Sequence, residues 1–236
     1  MKQIRYRRVL LKLSGELFGD AAHGGIDVKR SALVARTVKS LLKNRVQVGV
    51  VVGAGNIFRA RVDKDGAIDR VAADHMGMMA TIINALALQA ALDRLHVDSR
   101  VLSAIPMPEI VEDYVHKRAV KHLERGRVCI FAAGTGRPYF TTDTAAVVRA
   151  LEIKADVVLK ASDVDGVFDK DPHRFKSAKK FATLTFDEAL KRKLAVMDAT
   201  AFALAQENEM PIIVLRFSEK NVVNAALGKR VGTYVR

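Results

Sequence analysis

A chain of 236 residues, half of them apolar, can bury a large core, which excludes a disordered or fibrous polypeptide. Its one cysteine, Cys129, excludes a disulfide framework and a thiolate metal cluster and points to a reducing, cytoplasmic setting. The formal charge of +13 and pI near 10.0 call for an anionic partner. With basic residues scattered, no Trp and only four Tyr, a cleft for a small anion is favoured over an extended nucleic-acid face.

The N-terminus is basic (Lys2, Arg5, Arg7, Arg8), but the apolar run that follows, 9–13, is short and interrupted by Lys12, which excludes a signal peptide. Strand-like runs at 9–13, 47–52, 100–104, 128–132, 157–161 and 212–215 alternate with helical segments. That alternation predicts a parallel α/β sheet with helices on both faces, in one large domain or two closely joined lobes. No repeat, low-complexity tract or Gly/Ser linker divides the chain. Ligands of such sheets gather beyond the carboxyl ends of the strands, so the residues there are the candidates for chemistry.

After the first strand come Lys12, Leu13, Ser14, Gly15 and Glu16: a point positive charge beside flexible N–H donors, which suits a polyphosphate or, on the bland reading, is a surface lysine before a turn. A glycine-bearing loop with Gly19, Asp20, Gly24 and Gly25 leads to a helix capped by Asp27 or Ser31, with Leu33, Val34, Val38, Leu41 and Leu42 as its buried stripe. The second strand runs into Gly53, Ala54, Gly55, Asn56 and then Arg59, whose guanidinium can fork to phosphate. Asp74 is either the cap of the next helix or an acceptor for sugar hydroxyls, and His75 reads as a surface or packing residue. The run 76–92 is apolar nearly all round yet shorter than the ~20 residues of a membrane span, so it predicts a core helix that also packs against another subunit.

The most informative stretch is 127–153. Val128, Cys129, Ile130 and Phe131 form a buried strand, Gly134 and Gly136 open a tight loop, and Thr141, Thr142 and Asp143 supply cap chemistry for a helix over 144–153. Such a loop favours an anion, though it is also an ordinary turn. Cys129 reads as a packed core thiol. After the fifth strand, Lys160, Phe168 and Asp171 could serve a nucleotide's phosphates, base and ribose, although Asp-Gly and Asp-Pro there also mark an ordinary polar loop. Asp198 is a second helix cap or a site carboxylate. A Walker lysine loop and a protein-kinase catalytic loop are both missing, so any phosphoryl transfer uses a third architecture.

Five segments in register, KLSGE at 12–16, VVGAGNIFR at 51–59, DHMGM at 74–78, GTGRPYFTTD at 134–143 and LKASDVDGVFDKDP at 159–172, resemble the bacterial UMP kinases of the amino-acid kinase family. The resemblance runs from Arg8 to Thr233 and implies a three-layer α/β/α sandwich with an open, mostly parallel sheet. It also implies one domain over 1–236, whose N-terminal lobe is roughly the UMP side and C-terminal lobe the ATP side. The implied reaction moves a phosphoryl group from MgATP to UMP in a homohexamer of a pyrimidine biosynthetic pathway, with UTP as inhibitor and GTP as a candidate effector. Neither a membrane nor nucleic acid is an expected partner.

Carried over by position, Lys12, Leu13, Ser14, Gly15, Gly55, Arg59, Ser162, Phe168 and Asp171 resemble the ATP side. Ala54, Asp74, Thr135, Gly136, Arg137, Pro138, Tyr139, Phe140, Thr141 and Thr142 resemble the UMP side. Lys12 and Lys160 resemble the phosphate lysines, Asp198 the carboxylate that orients them, and Arg100 and Arg127 the arginines that contact GTP. The chain departs from the pattern at Ala54, where a third glycine is usual, at Ala60, a glycine in relatives, and at Arg137, commonly Asn. The rival reading is another amino-acid kinase with a carboxylate or carbamate acceptor.

Overall fold

The computed structural model describes residues 5–19, 25–59, 68–192, 194 and 196–236. Lys2, Asp20, Gly24 and Ala60 of the sequence reading lie outside the described residues. Strand β1 (Arg8–Leu13) is followed by α1 (Val28–Lys43), β2 (Gln47–Val52), α2 (Arg70–Asp93), β3 (Ser99–Ser103), β4 (Glu112–Asp113), α3 (His116–Glu124), β5 (Val128–Ala132) and α4 (Thr142–Glu152). The chain then adds β6 (Val157–Ser162), β7 (Thr183–Leu184), α5 (Phe186–Lys191), α6 (Ala199–Glu207), β8 (Ile212–Arg216), α7 (Glu219–Ala226) and β9 (Thr233–Val235).

The strands form one sheet in the order β4-β3-β5-β2-β1-β6-β8-β9-β7, parallel throughout except between β8 and β9. All six apolar runs are strands. The three strands without such a run, β4, β7 and β9, are two or three residues long and lie at or near the sheet edges, too short to show a period in sequence. Alternation along the strands builds two cores. Val9, Leu11, Leu13, Val48, Val50 and Val52 face α1, α2 and α7, whereas Leu10, Val51 and Val158 face α3, α4, α5 and α6. The result is the three-layer α/β/α sandwich with β1 near its middle.

Asp27, rather than Ser31, caps α1, accepting from Lys29 N at 2.8 Å and Arg30 N at 3.2 Å. Helix α2 begins at Arg70, ahead of the apolar run, because Asp69 caps it through Val71 N and Ala72 N. At 24 residues α2 is, by length and composition alone, long enough to cross a membrane, contrary to the length read from the apolar run. Its inner face, however, buries Met78, Ile82, Ala85, Leu88 and Leu92 together with hydrogen-bonded Thr81 and Asn84, the pattern of a core helix. Met76, Met79 and Ile83 on the outer face remain 44%, 42% and 48% exposed.

Candidate active site

Strand register brings the chemistry together. Lys12 of β1 is directly paired with Lys160 of β6, so the two side chains leave the same face of the sheet, the face that Leu10 and Val158 fill one step earlier. Above that face stands the first turn of α4, started by Thr141, whose hydroxyl accepts from Asp143 N at 3.0 Å. This cap points Asp143 down between the lysines: Lys12 Nζ lies 2.7 Å from its Oδ1 and Lys160 Nζ 2.6 Å from its Oδ2. Burial alone would raise the Asp143 carboxyl, but the two ammonium groups outweigh it and hold it below the usual carboxylate range. Burial, reinforced by the like charge of Lys12, brings Lys160 down to about 8. The cluster keeps one positive charge in excess when all three groups are ionised, at the strand ends where a phosphate can reach it.

Two cavities adjoin this cluster. The larger, about 550 Å³, is lined by Lys12, Ser14, Lys160, Ser162, Phe168 and Asp171 among others. Of the remaining ATP-side candidates, Leu13 is buried with its side chain in the core, and Gly15 packs so closely on the backbone of residues 54 and 55 that no Cβ would fit. Gly55 lines the smaller pocket instead, while Arg59 donates to Gly55 O at 3.0 Å and pairs with Glu16 across the mouth. Arg192, Leu194 and Val196 also line the larger cavity and carry no sequence signal that would single them out.

The smaller pocket, about 250 Å³, is lined by Ala54, Asp74, Thr135, Phe140, Thr141 and Thr142 from the candidate set, joined by Phe58, Gly77 and Met78. The loop that supplies Gly134 and Thr135 to it turns through left-handed backbone, with φ of 58° at Ala133, 57° at Gly134, 74° at Gly136 and 70° at Tyr139, ordinary for the glycines and sparsely populated for Ala133 and Tyr139. Polar anchors hold it there. Ala133 N donates to Thr81 Oγ1 at 2.7 Å, buried Arg149 donates to Gly134 O at 3.3 Å, and Tyr139 N donates to Asp74 Oδ2 at 2.7 Å. Asp74 is therefore not a helix cap; it sits in the second turn of α2, also takes Arg70 Nε at 2.8 Å, and lines the pocket. Gly136 lies against Ala104 outside the pocket lining, and Arg137, Tyr139 and Phe140 are exposed at the rim, with Pro138 between them half-buried. Ala54 avoids the left-handed region, so its methyl carries no backbone strain.

Asp198 departs from the role the resemblance gives it. The carboxylate in contact with both lysines is Asp143; Asp198 caps α6 through Ala201 N at 2.8 Å and accepts from Thr144 Oγ1 at 2.9 Å and from Thr141 Oγ1. It supports the turn that carries Asp143 and adds negative potential at Lys160. Arg100 and Arg127 lie elsewhere, at the amino ends of β3 and β5, converging on Asp98, with Arg127 Nε 2.7 Å from its Oδ2. Cys129 is a fully buried thiol pushed up to about 12, chiefly by burial, and is no nucleophile.

Residues 7–216 match the model of the amino acid kinase family. The chain belongs to the amino acid kinase family. Within it, the chain is 50% identical over 223 residues to a uridylate kinase of Helicobacter hepaticus, covering 94% of each protein. The solved UMP kinase of Bacillus anthracis superposes with a TM-score of 0.94 at 38% identity, covering 98% of this chain and 96% of that one. The UMP kinase of Ureaplasma parvum gives 0.91 at 39% identity, covering 98% and 99%.

Proposed function

We infer that the chain transfers the γ-phosphoryl group of ATP to UMP, giving ADP and UDP, as a UMP kinase does. The observation that carries this reading is the lysine pair bridged by Asp143: Lys12 and Lys160 line the larger cavity, and Thr141 and Thr142, next to Asp143 in the chain, line the smaller one. Phosphoryl transfer asks little covalent help of a protein. It needs two phosphates held in line and their charge neutralised as the bond to the leaving oxygen loosens.

The larger cavity, on the C-terminal half of the sheet, is assigned to ATP and the smaller one to UMP. Lys12 and Lys160 offer ammonium groups to the phosphate oxygens, and Asp143 keeps both converged before substrate arrives, so little reorganisation is left for the reaction itself. The attacking atom is a phosphate oxygen of UMP, already ionised, so no general base is required. Among the described residues no three metal-ligating side chains converge. Mg²⁺, which neutralises β- and γ-phosphate charge, is accordingly proposed to be held mainly by ATP oxygens and water.

Further parts of the reading are a place in pyrimidine nucleotide synthesis, a cytoplasmic location, a homohexamer whose contacts use the bare Met76, Met79 and Ile83 face of α2, and UTP and GTP as effectors. The Arg100 and Arg127 pair, beside a cavity of about 410 Å³ that Arg100 lines, is the candidate position for GTP.

The test is ADP formation in a coupled assay with UMP, CMP, dUMP and acetylglutamate as acceptors. UMP should exceed acetylglutamate in kcat/KM by at least about 100-fold, since a pocket built on polar anchors rejects a ligand that leaves them unpaired. Turnover of acetylglutamate in preference to UMP would instead identify a carboxylate kinase.

A further inference from the structure

Beneath both cavities lies a buried pair of amides that neither substrate site uses. Asn84 of α2 has no exposed surface and Asn56, just past β2, is 3% exposed. Asn84 Nδ2 donates to Asn56 Oδ1 at 2.8 Å, and Asn56 Nδ2 donates back to Asn84 Oδ1 at 3.1 Å. The two remaining N–H groups go to backbone: Asn84 to Gly53 O at 2.7 Å and Asn56 to Gly25 O at 3.0 Å. Every amide hydrogen is used, which is the condition under which a buried polar pair rigidifies its surroundings instead of weakening them.

What the pair holds is the loop of residues 53–55. Gly53 N still bonds to Leu13 O at 2.8 Å, the last rung between β1 and β2. Its carbonyl has left the sheet ladder and is taken by Asn84. The loop presses against the turn after Lys12: a Cβ on Gly15 would collide with Gly55 N and lie 2.6 Å from Asn56 Oδ1 and 2.8 Å from Ala54 C. Ala54 and Gly55 line the smaller pocket, while Lys12 and Ser14 line the larger. The amide pair therefore fixes the contact at which the two cavities are registered. Thr81, one turn before Asn84 on α2, anchors Ala133 of the second pocket loop, so one helix braces both acceptor loops.

We infer that Asn84 and Asn56 are positioning residues for phosphoryl transfer, acting through the loop of residues 53–55 to align donor and acceptor without touching either. The inference rests on the assignment of the two cavities to ATP and UMP. An in-line transfer is sensitive to ångström displacements, whereas each nucleotide keeps its own binding contacts, so the effect falls on kcat. A two-partner unit is also lost as a unit.

The experiment measures kcat, both KM values and melting temperature for Asn84→Ala, Asn56→Ala, the double variant and Leu88→Ala. Leu88 is fully buried on the same helix, and its truncation destabilises the fold through a cavity alone. At a temperature where circular dichroism shows all four folded, each asparagine variant should lose about tenfold or more in kcat, with both KM values within about threefold of wild type. The double variant should fall no more than about twofold below the worse single, and Leu88→Ala should stay within about twofold of wild type. Should Asn84→Ala not fold, Asn84→Ser, which keeps an uncharged hydroxyl in the same space but not the amide that donates to both Gly53 O and Asn56 Oδ1, carries the same expectation. Near-normal kcat in the asparagine variants, or an equal loss in Leu88→Ala, overturns the inference. A wild-type protein inactive on UMP would overturn the assignment beneath it.

Discussion

The two cavities are built by opposite means. The larger one stands on strand ends, where sheet register dictates that Lys12 and Lys160 emerge side by side and a capped helix start delivers Asp143 between them. The smaller one is made largely of loops, one of which holds Ala133 and Tyr139 in left-handed backbone, kept in place by side-chain anchors from Asp74, Thr81 and Arg149. The first kind of site inherits its geometry from the fold; the second needs polar residues dedicated to holding it. Substitutions at the strand ends should therefore change the chemical step, and substitutions at the anchors should change acceptor recognition.

The largest effect is expected at Lys12, whose charge meets oxygens that become more negative as the transferring bond loosens. Lys12→Ala should lower kcat by about 100-fold or more with a smaller change in UMP KM, as steady-state kinetics will measure. A near-normal kcat with only a raised ATP KM would reduce Lys12 to a binding contact and erase the contrast between the sites.

On the acceptor side, Asp74 can accept from ribose hydroxyls while it holds Tyr139 N, and charged hydrogen bonds are worth about 1.5–3 kcal/mol. The enzyme should prefer UMP to dUMP, and Asp74→Asn, which keeps an oxygen for Tyr139, should reduce the preference by about tenfold or more while leaving ATP KM near normal. The ratio of kcat/KM values for the two acceptors reads this directly. An unchanged ratio with a lowered melting temperature would make Asp74 a loop anchor alone.

Legibility in the sequence followed the same division. All six long strands, and the lysines at their ends, could be read because short, nearly continuous β-branched apolar runs mark strands buried on both faces of a parallel sheet. The function of Asp143 could not, since Thr-Thr-Asp reads as cap chemistry, and only the sheet register puts its carboxylate between two lysines. Asp198 drew that role instead, by resemblance, because a cap and a site carboxylate look alike in sequence. The start of α2 at Arg70 was not legible because Val71, Ala72 and Ala73 are too few and too small to set a helical period and the cap residue Asp69 carries no apolar signal. Asn56 and Asn84 stand singly in glycine-rich and apolar runs, and a buried amide announces itself only when its partner is in view.

A smaller effect is the pH dependence set by Lys160. Lys160 sits below its ordinary 10.5, at about 8, because burial and Lys12 disfavour its charge. The free enzyme should therefore lose kcat/KM as pH rises through about 8, while the limb for kcat lies higher because bound phosphates favour the ammonium. In stability the sign is reversed: between about 8 and 10.5 the unfolded chain binds the additional proton, so this group makes the native state relatively more stable as pH rises. A pH–rate profile flat to pH 10 would remove Lys160 from charge neutralisation.

The smallest catalytic effect, with a large effect on assembly, is expected from Ile83→Glu on the bare face of α2. A charge buried in a subunit contact is costly, so light scattering should show a wild-type oligomer that the variant dissociates or aggregates. A monomeric wild-type chain at assay concentration would contradict that use of the face.

The central claim is that both nucleotides meet over one bridged lysine pair, and a bisubstrate ligand tests it most directly. A compound joining adenosine and uridine through five phosphates should bind one per chain in isothermal titration, at least about 100-fold more tightly than ATP alone, and compete with both ATP and UMP, because the second end binds as an intramolecular event. Binding no tighter than ATP, or competition with only one of the two nucleotides, would mean that the two cavities do not face each other across Lys12 and Lys160.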